Sequence, residues 1–179
     1  MQKQASGVGR GKTKGLIRGL NRKGTRPSQS PAAAEANRSL ADPTVCERCG
    51  AVYTRKKWRK GMRVSQILLG HASWAVCAAC AQVASGEYYG RVLLEGAYVI
   101  PNQEPIRHRI ANVAERAEFT QPERRVVDIG RQGAALEVLT TSQKLAHRIA
   151  CELKKAFKGS VSYNWSDKDG SLFARWRRD

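Results

Sequence analysis

Two short cysteine pairs, Cys46-Glu47-Arg48-Cys49 and Cys77-Ala78-Ala79-Cys80, decide how the rest of the sequence is interpreted. Each Cys-x-x-Cys pair sets two thiolates about one tight turn apart, and two such turns together make a tetrahedral four-sulfur site that suits zinc. A small residue, Gly50 or Ala81, follows each pair and lets the backbone curl around a metal. We therefore predict that Cys46, Cys49, Cys77 and Cys80 bind a structural Zn²⁺ ion in a zinc-ribbon or knuckle module at residues 44–82.

Other roles for the cysteines stay open at this point. A thioredoxin-like redox pair needs a βαβ context, which the flanking sequence does not supply, and disulfide pairing is a further alternative. His71 could replace one sulfur ligand, although packing beside the site is the simpler role for it. Cys151 follows a helical pattern far along the chain, and we predict that it is a small buried apolar residue.

The composition points to a polyanionic partner. The 179 residues include 32 Lys and Arg against 15 Asp and Glu, which gives a formal net charge of +17 and a pI near 10.3. Nucleic acid is the commonest partner of so basic a chain. No apolar run is long enough to cross a bilayer, and the basic amino terminus lacks the apolar segment of a signal peptide. A cytoplasmic location, where thiols stay reduced, and no membrane association are therefore predicted.

Residues 1–43 are predicted to form a disordered basic arm and linker. The first 34 residues contain no Asp or Glu, and their many glycines oppose helix and strand formation. Such an arm can follow nucleic-acid phosphates and fold on binding. A solubilising tail and a mitochondrial transit peptide are the alternatives. The predicted nucleic-acid contacts in the arm are Arg10, Lys12, Lys14, Arg18, Arg22, Lys23 and Arg26.

A second basic stretch lies between the two cysteine pairs. Basic side chains meet phosphates, and an indole offers a face on which a base can stack. A metal site would fix both ends of this loop, so its charges are expected to stand on a rigid base; a solvated surface run is the alternative. Trp74, farther along, is predicted to be a core residue. The predicted nucleic-acid contacts in the loop are Arg55, Lys56, Lys57, Trp58, Arg59, Lys60 and Arg63.

Residues 83–179 are predicted to form an α+β domain. Apolar residues at helical spacing predict one helix over 104–119 and a second helix, capped by Thr140 or Thr141, that ends at Gly159. Strands are predicted at 125–130, 134–140, 161–165 and 172–178, after a short strand pair within 86–100. The order α-β-β-α-β-β gives a layer in which a four-stranded antiparallel sheet faces one side and two helices face the other.

A sheet covered on one face leaves its other face free, and small RNA-binding domains use such faces. In the last predicted strand, Leu172, Ala174 and Trp176 alternate inward. Phe173, Arg175 and Arg177 then point outward, so Arg175 and Arg177 are predicted nucleic-acid contacts. The exposed face of the second helix adds the polar residues Lys144, His147, Arg148, Lys154 and Lys155.

Several stretches resemble a known family. With the cysteine pairs, they are Leu139-Thr140-Thr141-Ser142-Gln143-Lys144-Leu145-Ala146-His147-Arg148-Ile149, Tyr163-Asn164-Trp165-Ser166 and Ala174-Arg175-Trp176. Together they are similar to the zinc-binding amino-terminal region of the Nmd-three-like family of large ribosomal subunit export adaptors, and more closely to short prokaryotic proteins that share that region. The similarity covers roughly residues 44–178. It implies zinc at the four cysteines, an α+β domain after them, and binding to the large ribosomal subunit.

These observations predict a non-enzymatic zinc-binding protein that binds RNA, specifically ribosomal RNA of the large subunit, as a ribosome-associated factor. The alternative is a zinc-containing regulator that binds DNA, although no stretch has the pattern of an exposed recognition helix. An enzyme is disfavoured because the chain has only three histidines and a fully sulfur-bound zinc leaves no position for a reacting water.

Overall fold

The computed structural model describes residues 40–62 and 65–179 of the chain. All seven predicted contacts in the basic arm, together with Arg63, lie outside the described residues. The described part has two units in succession, each with its own β-sheet. Within these ranges, no helix combines the length and the apolar character that crossing a membrane requires.

The first unit contains the cysteine pairs and is built from short elements. Its strands form a sheet of order β3-β2-β1-β4, in which β4 runs parallel to β1 and the other neighbours are antiparallel. The centre of this unit is the cysteine cluster itself, with Ala51 and Ala79 packed against it. In chain order the elements are β1 (Thr44–Cys46), β2 (Val52–Thr54), β3 (Lys57–Arg59), α1 (Gln66–His71), β4 (Ser73–Ala75) and α2 (Ala78–Ser85).

The prediction that Trp74 is a core residue is wrong. Trp74 lies on β4, an edge strand of the small sheet, and its side chain is 56% exposed. All three residues of β4 are exposed or partly exposed. The strand therefore joins the sheet through its backbone and contributes little to the core.

The second unit is a mixed α+β layer, so the prediction of an α+β class is confirmed for this unit. It matches the predicted sequence of two long helices, each followed by a hairpin. In chain order its elements are β5 (Gly90–Glu95), α3 (Gln103–Thr120), β6 (Val126–Gln132), β7 (Ala135–Thr140), α4 (Gln143–Phe157), β8 (Ser160–Trp165) and β9 (Leu172–Arg177).

The prediction of a four-stranded, purely antiparallel sheet is wrong. The sheet has five strands in the order β6-β7-β5-β9-β8, and β5 is antiparallel to β7 but parallel to β9. The predicted strand pair within 86–100 yields β5 alone. The chain leaves the strand at Gly96, which has a φ of 109°. In the turn that follows, the amide of Val99 donates a hydrogen bond to the carbonyl of Gly96 at 3.1 Å. Val99 enters the core from this turn, which leaves β5 free to insert between the two hairpins.

The apolar residues that alternate along the strands and recur along the helices of the second unit form one hydrophobic core. Strands β5, β7 and β9 bury every second residue, and α4 packs on them with α3 beside it. The four-residue spacing of Leu145, Ile149, Leu153 and Phe157 predicts a buried stripe on α4. The first three side chains are fully buried and contribute about 1.5–3 kcal/mol each, while Phe157, at the end of the helix, is only partly buried. The largest buried side chain is Trp176, whose indole N–H donates to the carbonyl of Lys158 at 2.8 Å.

Helix α4 is capped by Ser142 rather than by Thr140 or Thr141. The Ser142 hydroxyl accepts from the amide of Leu145 at 3.4 Å. Thr140 is still in β7, and its hydroxyl donates to the carbonyl of Gly90. Thr141 binds the segment before β6, where its hydroxyl accepts from the amide of Arg125 at 2.8 Å. The hydroxyl groups of both threonines therefore bond to the strands and their flanking segments and do not cap α4.

The prediction that Cys151 is buried is also wrong. Cys151 is exposed, because it lies on the side of α4 that faces away from the buried stripe. Its Sγ lies 3.2 Å from the hydroxyl of Tyr163 on β8. The thiol thus belongs to the surface between α4 and β8.

Candidate metal centre

The first cysteine pair forms a tight turn at the end of β1. The amide of Gly50 donates to the carbonyl of Cys46 (2.9 Å), and the amide of Cys46 donates to the carbonyl of Ala51 (2.8 Å). Gly50 has a φ of +66°, a left-handed conformation that glycine adopts without strain. The turn brings Cys46 and Cys49 to the same place beside the second pair.

The second cysteine pair begins α2. Cys77 is the N-cap residue of this helix, and its Sγ accepts from the amide of Cys80 at 3.4 Å. The amide of Cys77 donates in turn to Sγ of Cys46 at 3.3 Å. Main-chain amides directed at sulfur favour the thiolate, which is the form that binds a metal.

The four sulfur atoms form one compact cluster. They all lie within 4.8 Å of one another, and the Cys46–Cys80 and Cys49–Cys77 Sγ pairs are each 3.9 Å apart. A tetrahedral ion with metal–sulfur bonds of about 2.3 Å needs sulfur atoms about 3.8 Å apart. A disulfide bond of about 2.05 Å is far shorter, and the cysteines are free. The donors and their spacing therefore fit a four-sulfur site that could hold a metal ion.

The pKa values of Cys46, Cys77 and Cys80 are shifted in different directions. Burial raises the pKa of Cys77, and it raises the pKa of Cys80 to about 11; repulsion from the neighbouring thiolates acts in the same direction. Burial also acts on Cys46, but main-chain amide donors outweigh it and lower the pKa of that thiol to about 6. A divalent ion supplies the positive charge that four thiolates need, and its binding would release the remaining protons.

Arg125, outside both cysteine pairs, reaches the sulfur cluster. Its Nη1 donates to Sγ of Cys80 at 3.4 Å, and its Nη2 lies 3.2 Å from a carboxylate oxygen of Glu118. Glu118 also pairs with Lys60 of the first unit. Burial opposes the charge of Arg125, but the negative charges that Cys49, Cys80 and Glu118 carry when ionised outweigh it and raise the pKa of the guanidinium. This ion network joins the metal centre to the second unit.

Arg125 was not among the residues predicted from the sequence. In the sequence, Arg125 is only the first residue of the strand predicted at 125–130, and no spacing of residues indicates that it contacts a cysteine. Its role arises because the segment before β6 passes next to α2, where Gln82 also donates to the carbonyl of Thr141 at 3.2 Å. Contacts between elements so far apart along the chain leave no local signal.

Four of the predicted basic contacts in the first unit are exposed on the β2–β3 hairpin. Arg55 and Lys56 are its two turn residues, between the paired Thr54 and Lys57, and their φ values are 48° and 60°. The amide of Arg55 donates to Oδ2 of Asp42 at 2.8 Å, which fixes the turn on the preceding chain. The exposed cations of the hairpin are Arg55, Lys56, Lys57 and Arg59.

The remaining predicted residues of this stretch have structural contacts. Trp58 is partly buried against the cysteine cluster, and its ring centre lies 5.3 Å from that of Tyr53. Lys60 pairs with Glu118, as described above. His71 ends α1 on the surface and is not a member of the cysteine cluster. Binding of nucleic acid by Trp58 and Lys60 stays a prediction.

The uncovered face of the larger sheet carries the predicted Phe173, Arg175 and Arg177. The guanidinium groups of Arg91 and Arg175 lie 5.3 and 5.7 Å from the centre of the Phe173 ring, so two cations flank one aromatic side chain. Their charges are already matched by acidic partners. The pairs are Arg91 with Glu137, Arg175 with Glu95 at 3.3 Å, and Arg177 with Asp179 at 3.2 Å.

The geometry therefore defines a protein with a four-cysteine centre that could hold a metal ion, attached to a mixed α+β domain. No protein-family model matches the sequence, and no curated protein or solved structure matches the chain.

Proposed function

We propose that this chain is a non-enzymatic zinc protein that binds RNA and acts in the cytoplasm. Four sulfur donors at tetrahedral spacing suit zinc, and an ion bound by all four has no open position for a reacting water. A reducing compartment keeps the thiols available for the metal. Protein purified without chelator should contain one zinc per chain, and Cys46→Ser should lose it. A different metal, or equal zinc content in the variant, would contradict the assignment.

The observation that carries the RNA-binding proposal is the turn of the β2–β3 hairpin. Arg55 and Lys56 both have positive φ, as in a type I′ turn, where asparagine and glycine are strongly preferred. Two long side chains in this conformation cost about 1 kcal/mol or more each, and strain of this kind is characteristic of functional positions. The net charge of +17 favours a polyanion as the partner of these cations.

Large-subunit ribosomal RNA is the proposed partner. The resemblance to the export adaptors supports it, since that resemblance spans both the cysteine pairs and the α+β domain. Duplex DNA is the alternative that a competition experiment must exclude.

The hairpin gives a test in which binding and stability move in opposite directions. The double variant Arg55→Asn/Lys56→Gly supplies the preferred turn residues and removes two charges. Relief of strain at two positions exceeds the roughly 0.5–1 kcal/mol of backbone entropy that the new glycine costs, so we expect its free energy of unfolding to rise by about 1 kcal/mol or more. Its affinity for ribosomal RNA should fall, and the slope of log affinity against log salt should decrease by about 1.4–1.8.

The matched control removes two charges from the second unit, through Arg116→Gln/Arg131→Gln. If this control weakens binding as much as the hairpin variant does, the hairpin has no special role and only the total charge matters. If duplex DNA competes as well as ribosomal RNA, the RNA proposal is contradicted.

Co-sedimentation tests the ribosomal partner directly. Tagged protein in cell extract should migrate with the large subunit on a sucrose gradient at low salt and should leave it at high salt. The version lacking residues 1–34 should bind less well, because it loses eight of the arm's cations. Migration at the top of the gradient in every condition would remove the ribosomal proposal.

A further inference from the structure

A group of exposed rings lies at the junction of α4 and β8. Tyr163 and Trp165 are 37% and 50% exposed, although they pair with the buried Ala174 and Leu172 and so lie on the helix-covered side of the sheet. Strand β8 is at the edge of the sheet, and α4 covers this side only in part. Large apolar side chains at such an edge form a surface on which another molecule can pack.

The rings are held in a fixed arrangement by the helix. His147 of α4 lies 4.9 Å from the Tyr163 ring and 6.0 Å from the Trp165 ring, with tilts of 35° and 38°. Cys151, one turn farther along α4, has its Sγ 3.2 Å from the Tyr163 hydroxyl. Because these contacts order the side chains beforehand, a planar group can stack on them with little loss of side-chain entropy.

The helix next to the rings is basic. From 143 to 165 the chain has five Lys and Arg against one acidic residue, Glu152, which pairs with Arg109 of α3. In the turn after β8, Asp169 accepts from the amide of Ser171 at 3.1 Å. We name this surface the α4–β8 patch and define it by His147, Tyr163, Trp165, Lys144, Lys154 and Lys155, all exposed.

The charge balance separates this patch from the uncovered face of the sheet. There, Arg91, Arg175 and Arg177 all have acidic partners. The α4–β8 patch combines exposed rings with lysines that have no acidic partner among the described residues. Single-stranded nucleic acid binds to such a combination, because its bases stack on the rings and its phosphates contact the cations. A duplex has its bases already stacked and does not use such rings.

We propose that the α4–β8 patch binds a single-stranded segment of RNA. One base stacks on Trp165 and a neighbouring base on Tyr163, while the phosphates between and beyond them contact Lys144, Lys154 and Lys155. This inference rests on the proposed function, because it takes RNA as the partner. It adds a second contact surface, in a different unit from the β2–β3 hairpin, and it specifies unpaired nucleotides.

The test measures binding of the full-length, zinc-loaded protein to a fluorescein-labelled oligouridine of about 12 nucleotides by anisotropy. Trp165→Leu should weaken binding about 5- to 150-fold, and Trp165→Tyr, which keeps a ring, should restore most of it. Lys154→Gln/Lys155→Gln should instead reduce the salt slope by about 1.4. The matched control is Trp74→Leu, which removes a similarly exposed tryptophan from the first unit and should leave binding unchanged.

The outcomes distinguish this inference from the proposed function. If the protein binds oligouridine but Trp165→Leu behaves like Trp74→Leu, the patch proposal is overturned and RNA binding stands. Tighter binding to an RNA duplex of the same length, or equal competition by polyglutamate at the same charge concentration, also overturns it. If neither oligouridine nor ribosomal RNA binds, both proposals fail.

Discussion

Replacing Arg125 with methionine should weaken both the metal centre and the contact between the two units. The substitution keeps much of the side-chain volume but removes the guanidinium that touches Cys80 and Glu118. Glu118 then retains its ion pair with Lys60, and the sulfur cluster loses a neighbouring positive charge.

The size of the effect follows from the burial of the pair. Breaking a fully buried ion pair costs about 3–5 kcal/mol, whereas an exposed pair contributes about 0–1 kcal/mol. The side chains of Arg125 and Glu118 are 14% and 26% exposed, which is between these limits. Since Glu118 retains Lys60, we expect the free energy of unfolding to fall by about 2 kcal/mol. Removing such a neighbour of a metal ligand also lowers metal affinity by about 10- to 100-fold.

Two measurements check this prediction: urea unfolding of the zinc-loaded protein, and competition for zinc with a chromophoric chelator. Arg124→Met removes the same charge one residue earlier and is the matched control. Arg125→Lys keeps a charge but not the planar fork, so it should fall between the wild type and Arg125→Met. The reasoning would be refuted if Arg125→Met and Arg124→Met gave equal zinc affinity and equal unfolding curves.

Three further predictions concern the fold. Gly90→Ala places a Cβ against the Thr140 hydroxyl oxygen and should lower the free energy of unfolding in urea by about 1–3 kcal/mol, whereas Gly70→Ala, with no atom within 4 Å, should not lower it. Trp176→Phe leaves a carbonyl at the end of α4 without its indole donor and should cost about 1–3 kcal/mol, measured by thermal unfolding; no change would argue against that hydrogen bond. Cys46→Ser should remove amide-exchange protection from β1–β4 but keep it in β5–β9, because the two units have separate cores; loss of protection in both would contradict separable units.

The sequence predicted best what depends on local spacing. Leu145, Ile149 and Leu153 recur every four residues and become the buried face of α4, and the two cysteine pairs predicted the sulfur cluster. The features that the sequence did not predict depend on contacts between residues that are far apart in the chain. The parallel pairing of β5 with β9 comes from insertion between two hairpins, and Arg125 reaches the sulfurs across the two units. Trp74 was misassigned because hydrophobicity alone does not tell an edge strand from a central one.

The pairing of β5 with β9 also affects the order in which the protein matures during its synthesis. Gly90 is translated about 80 residues before its partner Leu172, so the centre of the larger sheet cannot close until the last hairpin has been made. Until then, Val92 and Leu94 lack the neighbours that cover them in the finished protein. All four sulfur donors have been translated once Cys80 is made, so the proposed metal ion can bind the first unit while the second is still being translated, and Arg125 joins the site later.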